Sequence, residues 1–363
     1  MRSSVGSRVR LTVFGESHGP AVGCVLEGLP AGHKIDMEML AEQMSRRAPG
    51  KDKTATTRRE ADEPEILSGV LDGVTTGAPL ALIIRNGDTR SHNYDNLKIQ
   101  PRPNHSDYAA WVKFGGFNDV RGGGHFSARL TAPIVAAGAI CKSILAEKGI
   151  TVGGHISGIG PVDDTPFDPV GISAEELKAL NAKLFALNDP EKEEAMRAEV
   201  EAARMDCDSV GGSVELAAVG LPAGVGNPMF YGVENVIAQV LYGVPAVKSV
   251  SFGAGADFSR MRGSEANDQM YVDENGKVKC LTNNCGGITG GITNGMPLIV
   301  KVNLKPTPSI SKPQQTVDLE KMENSTLKIV GRHDPCIVPR ALAALEAALC
   351  IGLTDLLAED GKL

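Results

Sequence analysis

Apolar residues alternate with polar ones along several short stretches of the chain, and this two-residue period predicts β-strands. Elsewhere apolar residues return every three or four positions, which predicts helices with one buried face. The predicted strands are residues 9–14, 21–29, 66–70, 80–84, 151–160, 214–219 and 297–302. The predicted helices are residues 36–47, 133–148, 190–205 and 341–359, with a further helix opening at the capping box of Ser173.

The second half of the chain repeats features of the first half. The strand 214–219 leads into Gly-Leu-Pro-Ala-Gly at 220–224, and the same five residues stand 192 positions earlier at 28–32. Arg129 precedes one Ala-rich helix, and Arg340 precedes the other. Two such matches indicate an internal duplication, in which one sandwich is built from two similar halves.

The predicted fold class is therefore α/β (α+β), as an internally duplicated β-α-β sandwich with antiparallel or mixed sheets. We expect one domain over residues 1–363, with half-repeats at about 8–150 and 205–360 and a charged helical insert at about 165–205. An active site between two such halves would be formed by loops from both.

Composition changes the picture by excluding some classes of protein. The chain has 363 residues, 42% hydrophobic composition and a formal net charge of −7, which suit a large core and not a general nucleic-acid-binding role. Residues 1–10 lack a signal-peptide core, and no apolar run is expected to reach membrane-spanning length. The seven cysteines lack paired metal-ligand spacing, so we expect reduced thiols, no protein-bound metal and a cytoplasmic protein.

Three loops place a proton-transfer group in a turn fixed by glycine or proline. They hold His18 at 15–19, His105 at 101–108 and Asp334 at 331–336, the last two beside an arginine. A lone histidine between glycines is more often a hydrogen-bonded turn residue than a catalyst, and a loop Arg–Asp pair is usually a surface ion pair. The occurrence of three such loops together favours acid–base chemistry at one site.

Anion-binding features accompany these loops. Glycines at 122–124 and 286–291 supply strips of backbone N–H groups, but they match neither the Walker nor the dinucleotide-binding pattern. Six cations lie within residues 46–59, either as a solvated charged loop or as a site for a polyanionic small molecule. From chemistry alone, we expect an enzyme acting on a small, phosphorylated, multiply anionic substrate.

The sequence resembles the chorismate synthase family over essentially its whole length. The motifs that carry the resemblance, in order, are Gly15-Glu16-Ser17-His18-Gly19, Arg46-Arg47-Ala48-Pro49-Gly50, Arg58-Arg59-Glu60, Ile66-Leu67-Ser68-Gly69-Val70, Arg102-Pro103-Asn104-His105-Ser106-Asp107-Tyr108, Arg121-Gly122-Gly123-Gly124 and Gly331-Arg332-His333-Asp334-Pro335-Cys336. The resemblance implies an anti-1,4-elimination of phosphate from 5-enolpyruvylshikimate 3-phosphate to give chorismate, in the shikimate pathway of aromatic amino acid biosynthesis. It also implies reduced FMN as a cofactor without net redox change.

The resemblance implies roles for individual residues. His18 would be the acid near the departing phosphate, His105 would stabilise the reduced anionic flavin at its pyrimidine edge, and Asp334 would assist removal of the ring proton through flavin N5. The implied substrate-binding residues are Arg47, Lys53, Arg102, Ser127, Arg129 and Arg332. The implied cofactor-binding residues are His125, Phe126, Ser127, Pro245, Ala246, Gly290, Lys305, Pro306, Thr307, Pro308, Ser309 and Arg332.

The sequence departs from the family pattern in the glycine loop. His125 and Phe126 stand where the family usually has Arg and Ser. A guanidinium that is always charged is thus replaced by a titratable imidazole, and a hydroxyl that can donate a hydrogen bond is replaced by an apolar aromatic ring. Asn104 and Ser106 replace the usual Gly and Ala around His105. Lys53 often aligns with an Arg in the family.

Two alternatives remain open at this stage. One is a flavin reductase-type enzyme with net redox turnover, and the other is an inactive flavin- or anion-binding protein. The sequence carries no Rossmann fingerprint, so we expect NADPH to serve at most as an external reductant. The resemblance further implies a homotetramer.

Overall fold

Runs of strands are interspersed with helices along the chain. The computed structural model describes residues 3–48, 62–87, 96–329 and 334–363. The strands are β1 (Ser4–Val5), β2 (Arg10–Gly15), β3 (Ala21–Glu27), β4 (Pro64–Ser68), β5 (Val70–Leu71), β6 (Val74–Thr75), β7 (Leu80–Arg85), β8 (Thr151–Ile159), β9 (Val162–Asp163), β10 (Gly212–Val219), β11 (Val247–Phe252), β12 (Met270–Val272), β13 (Val278–Cys280), β14 (Ile288–Thr289), β15 (Ile292–Thr293), β16 (Leu298–Leu304), β17 (Gln314–Asp318) and β18 (Glu323–Leu327). The helices are α1 (Met37–Arg47), α2 (Asp107–Phe114), α3 (Thr131–Glu147), α4 (Ala174–Asn181), α5 (Glu193–Met205), α6 (Val233–Tyr242), α7 (Gly263–Ala266) and α8 (Val338–Glu359).

The strands form two five-stranded sheets and several short hairpins. The first sheet has the order β1-β2-β3-β7-β4 and the second has the order β11-β16-β10-β8-β9. Every pairing among the described strands is antiparallel, so mixed sheets do not arise. The seven predicted strands are confirmed with ends that differ by at most two residues, whereas α2, α6 and β11 were not predicted.

The two sheets are buried to different extents. In β7 of the first sheet, buried side chains alternate with partly exposed ones, as in a sheet with one face on the core. In β8 of the second sheet, every residue after Thr151 is buried. The difference arises because α4 and α5, the predicted helical insert, pack against β8. Ser173 forms the expected capping box at the start of α4.

Helices α3 and α8 form the centre of the molecule. They pack against each other, and α3 also contacts the first sheet while α8 contacts β8 and β10 of the second. They approach each other closely at Gly138, where an added Cβ would lie 2.3 Å from the Cβ of Ala347. Helix α8 begins at Val338, three residues before the predicted start, because Pro339 is tolerated in the first turn of a helix.

These two central helices correct one expectation from the sequence. Residues 128–147 and 338–359 are long and apolar enough to cross a membrane by length and composition, contrary to the expectation that no run reaches that length. The protein interior buries 83% of the first apolar window and 89% of the second. Both are therefore explained as core helices of a folded domain.

Corresponding turns in the two halves share the same hydrogen bonds. The Thr75 hydroxyl donates to the Pro30 carbonyl over 2.7 Å, and the Thr293 hydroxyl donates to the Pro222 carbonyl over 2.7 Å. When the second order is written backwards, β2-β3-β7-β4 corresponds to β8-β10-β16-β11, and β3 and β10, each followed by Gly-Leu-Pro-Ala-Gly, are both central. The fifth strand differs, because β1 precedes β2 along the chain whereas β9 follows β8.

Two buried carboxylates hold α8 in place. Asp355 accepts the backbone N–H groups of Ser7, Arg8 and Val9 at 2.8–3.0 Å, which ties α8 to the segment before β2. Glu346 is fully buried and accepts from Arg46 at 2.7 and 2.8 Å and from Lys142 at 3.1 Å. Because buried charges need partners, these contacts fix how α1, α3 and α8 pack.

We predict that Gly138→Ala lowers the free energy of unfolding. Alanine favours a helix by about 1 kcal/mol over glycine, but overpacking a core costs about 1–3 kcal/mol. The second effect wins here because the new methyl group would overlap backbone atoms of α8. Chemical denaturation checks this, with Gly263→Ala as the control, because a Cβ at Gly263 meets nothing within 4 Å. Equal stability of Gly138→Ala and the wild type would contradict the prediction.

Candidate active site

A cavity of about 650 Å³ lies between the two halves of the chain. The first half contributes β1, part of β2, His105 and the loop 122–128, and the second half contributes the end of α6 and the loops 243–247 and 305–309. Among the predicted cofactor-binding residues, those that line this cavity are His125, Phe126, Ser127, Pro245, Ala246, Lys305, Thr307, Pro308 and Ser309. The structure thus brings together residues that lie up to about 180 positions apart.

Seven predicted site residues that the structure describes are not among those that line the cavity: His18, Asp334, Arg47, Arg102, Arg129, Gly290 and Pro306. Gly290 lies in the turn between β14 and β15, and the next carbonyl, that of Gly291, accepts from Val233 at the start of α6. The cavity is at the other end of α6, so Gly290 does not meet it within one chain. Pro306 contacts the Gly211 region instead. Lys53 and Arg332 lie outside the described residues.

The three-glycine loop holds two predicted catalytic histidines. Gly122, Gly123 and Gly124 have φ values of +59°, +86° and +53°, which side-chain-bearing residues rarely adopt. A Cβ on Gly122 would lie 2.6 Å from the His18 ring, and a Cβ on Gly123 would lie 3.5 Å from the His105 ring. A Cβ at Gly122 would clash with the His18 ring, whereas one at Gly123 would only touch the His105 ring, so at Gly123 the positive φ is what favours glycine.

His105 is oriented by the carboxylate of Asp107. Its Nδ1 lies 2.6 Å from Asp107 Oδ1, and because an ionised carboxylate only accepts, Nδ1 carries the proton. Burial lowers the pKa of His105, and the neighbouring Arg102 guanidinium lowers it further, against the opposing effect of Asp107. The neutral ring therefore presents the lone pair of Nε2 on the side of Gly123 and the cavity.

Arg102 connects the His105 loop to the second half of the chain. Its Nε and Nη2 donate to the two oxygens of Asp107 over 2.7 and 2.9 Å, which is a bidentate pair. Its Nη1 donates to the Ser309 hydroxyl over 3.2 Å. Burial by itself would raise the pKa of Asp107, but the hydrogen bonds from Arg102 and His105 lower it well below its usual range.

Lys305, from the second half of the chain, also contacts the His105 loop. Its ammonium donates to the backbone carbonyl of Asn104, and burial lowers the pKa of this lysine. Asn104 has a φ of +57°, a left-handed conformation that asparagine tolerates better than most residues. This explains how Asn104 can occupy a position where the family usually has glycine.

His125 stands where the family usually has an arginine. Its Nδ1 lies 2.8 Å from the carbonyl of Gly15, which only accepts, so Nδ1 donates there. Its Nε2 lies 2.8 Å from the Ser3 hydroxyl. The ring therefore ties β2 to the segment that leads into β1, at the cavity wall. Phe126 follows at the cavity edge, with its ring centroid 6.4 Å from that of Phe114.

A buried ion cluster lies where α1 ends and α3 begins. Each oxygen of the fully buried Asp62 carboxylate accepts from a different arginine, Arg47 or Arg129. Burial lowers the pKa of Arg47 to about 10, with Arg340 and Arg129 adding to the effect and Asp62 opposing it. Burial by itself would raise the pKa of Asp62, but the two guanidinium charges outweigh burial and lower it.

Asp334 is joined to this cluster through Arg340. The Arg340 Nη1 donates to Asp334 Oδ2 over 2.7 Å, and its Nε donates to the Arg47 carbonyl over 3.2 Å. Arg340 lies in the first turn of α8, and Arg47 donates to the Thr131 hydroxyl in the first turn of α3. The starts of both central helices therefore meet at the cluster.

Sequence reasoning did not assign roles to Asp62, Asp107 or Arg340. Asp62 was one of several acidic residues after the basic stretch, and Arg340 was noted only as an echo of Arg129. A usable signal was present, since arginines expected to be buried at a site need carboxylate partners. The chain position of those partners, however, follows from the fold.

Comparisons with known proteins agree with one another. The family model for chorismate synthase matches residues 9–358. The chain is 48% identical over 350 residues to the chorismate synthase of Thermococcus gammatolerans, covering 96% of each, and 42% identical to that of Dehalococcoides mccartyi, covering 99% and 98%. A solved structure described as a crystal structure of chorismate synthase superposes with a TM-score of 0.76 at 30% identity, covering 98% of this chain and 93% of that one.

The chain belongs to the chorismate synthase family. Its members are lyases, and the family generally uses reduced FMN. The cavity of this chorismate synthase family member suits such a cofactor. Its volume falls within the usual range for small-molecule sites, about 300–1,000 Å³. The Thr307 hydroxyl on its wall is buried and has no hydrogen-bond partner among the described residues, so a polar ligand would satisfy it.

We predict that Gly122→Ala reduces kcat/KM by about 100-fold, because a new methyl group would displace the His18 ring. The matched control is Gly276→Ala in the turn between β12 and β13. Gly276 also has a positive φ, of +74°, but open space at the Cβ position. Both alanine variants have the steric cost of a left-handed backbone, but only Gly122→Ala also clashes with the His18 ring. Similar activity losses in the two variants would show that the histidine contact does not matter.

Proposed function

We propose that this chain catalyses the anti-1,4-elimination of phosphate from 5-enolpyruvylshikimate 3-phosphate at this cavity, giving chorismate. The observation that supports this site is that one loop contacts both groups: its glycines pack against the His18 and His105 rings, and its Ala128 carbonyl accepts from Arg47, which Arg340 joins to Asp334. Reduced FMN, when bound, supplies the electron-rich flavin that the family's reaction requires without net redox change. The chain's own residues bind, orient and exchange protons.

His18 is the proposed acid for the departing phosphate. It lies in the turn after β2, and the backbone of Ser17 donates to the Gly124 carbonyl over 3.1 Å, which fixes the turn against the glycine loop. Phosphate leaves more readily when its charge is neutralised, so a proton donor held in place lowers the barrier. His105, whose ring packs against the neighbouring glycine of the loop, is proposed to stabilise the reduced flavin at its pyrimidine edge.

Cations around the two helix starts are proposed to hold the substrate's phosphate and carboxylates. The amino termini of α3 and α8 add partial positive charge to that of the arginines, which favours an anion at this place. The proposed substrate-binding residues are Arg47, Arg102, Ser127 and Arg129, together with Lys53 and Arg332 outside the described residues. Asp334 is proposed to assist removal of the ring proton.

The flavin is proposed to rest against loops from the second half of the chain. Pro245 and Ala246 give an apolar wall, and Thr307 offers its unpartnered hydroxyl. Lys305 carries the cation suited to the FMN phosphate. Gly290 remains a proposed contact only if another subunit brings it to the cavity.

The architecture is proposed to be an internally duplicated single domain. The correspondence of four strands in each sheet and the equivalent Thr75 and Thr293 turns support two half-repeats, at about 8–150 and 205–360. We also propose a cytoplasmic homotetramer that takes electrons for its flavin from an external source such as NADPH. Exposed apolar side chains, including Phe117 and Phe230, suit subunit contacts.

The assignment is tested by anaerobic turnover with photoreduced FMN. We expect phosphate and chorismate to be released in equal amounts from 5-enolpyruvylshikimate 3-phosphate, with no consumption of NADPH in a parallel reaction. Steady NADPH oxidation without phosphate release would favour the net redox alternative. Binding of flavin and substrate without turnover would favour an inactive binding protein.

The same assay tests the role of Asp334. We expect Asp334→Asn to slow phosphate release by about 100-fold or more, since acid–base groups contribute that much to catalysis. Flavin binding, followed by the change in the flavin absorption spectrum, is expected to stay close to that of the wild type. Equal loss of binding and turnover would show that Asp334 is assigned wrongly.

A further inference from the structure

The geometry points to Asp62 as a positioning residue for substrate binding, which sets the separation and orientation of Arg47 and Arg129. No proton transfer or direct substrate contact is assigned to it. The inference rests on the proposed function, because it takes these two arginines as cations for the substrate's anionic groups. It adds a residue that acts on the substrate only through them.

The contacts of Asp62 are those of a bridge between two cations. Its side chain is completely buried, and each carboxylate oxygen accepts from one guanidinium. The bridge fixes both the distance between the guanidinium groups and the plane of each. Asp62 also holds a backbone φ of +52°, a conformation that carries a steric cost for a residue with a side chain.

The remaining nitrogens of both arginines complete the orientation. Arg47 donates from Nε to Thr131 over 3.2 Å and from Nη2 to the Ala128 carbonyl over 3.3 Å. Arg129 donates from Nε to Asn86 over 2.9 Å and from Nη2 to the Arg85 carbonyl over 3.2 Å. Each guanidinium is therefore held through three nitrogens, and in both cases Nη1 donates to the Asp62 carboxylate.

Charge balance explains why a carboxylate is needed at this position. Arg47 lies close to two other guanidinium groups, Arg129 and Arg340, and both disfavour its charged form. Asp62 offsets one positive charge of the Arg47–Arg129 pair and leaves a surplus of one. Asp62 therefore reduces the repulsion between the two arginines, and the surplus charge still attracts an anion.

The test compares Asp62→Asn with Glu346→Gln. Glu346 is a matched control because it is also a fully buried carboxylate that pairs with two cations, Arg46 and Lys142, but neither of these cations is among the proposed substrate-binding residues. For Asp62→Asn we expect a rise of about 10- to 100-fold in KM for the substrate, as expected for loss of charged hydrogen bonds. We expect little change in kcat or FMN binding, since the loss falls on ground-state binding.

A second variant separates position from charge. Asp62→Glu keeps the carboxylate but moves it by one methylene, so a positioning role predicts a raised KM here too. If Asp62→Asn does not fold, Asp62→Glu still tests the inference. An unchanged KM in both variants overturns the inference. So does a KM increase that Glu346→Gln reproduces in proportion to its loss of thermal stability, since that would be a general effect of losing a buried charge.

Substrate titration calorimetry with oxidised FMN present distinguishes failure of this inference from failure of the proposed function. If the wild type binds the substrate without releasing phosphate under reducing conditions, the proposed function fails. Weaker binding by Asp62→Asn than by Glu346→Gln would then still support the role of Asp62. If the wild type does not bind the substrate at all, both proposals are overturned.

Discussion

The structure depends on the close approach of α3 and α8 at Gly138, where an added methyl group has no room. Each helix belongs to a different half of the chain, so their contact fixes one half against the other. Their first turns both bond to Arg47, through Thr131 on α3 and Arg340 on α8. The packing of two apolar helices therefore decides where cations from distant parts of the chain gather.

Buried charge is the second constraint, and carboxylates balance it in the same way at three places. Asp62 pairs with two arginines, Asp107 pairs with Arg102 and the His105 ring, and Glu346 pairs with Arg46 and Lys142. Unpaired, such groups would be costly in the protein interior. Two of these clusters adjoin the proposed active site, where the same pairing that permits burial also fixes the direction of each cation.

Local sequence signals predicted the regular elements well, because strand alternation and caps such as Ser173 act over a few residues. They did not predict that α4 and α5 cover β8, that Gly290 lies at the far end of α6, or that Asp62 bridges two arginines. Those relations depend on contacts between distant residues, which no local pattern encodes. The predicted flavin contacts around Lys305 and Thr307 came from family resemblance, since glycine-rich loops and cations indicate an anion but not a flavin.

The central claim is that one cavity between the two halves holds FMN beside the two histidines of the glycine loop. A crystal structure of the protein soaked with FMN tests it most directly. We expect electron density for the isoalloxazine ring between His105, Ala246 and Thr307, with the phosphate close to Lys305. Flavin density at another place on the molecule, with this cavity filled only by solvent, would contradict the account.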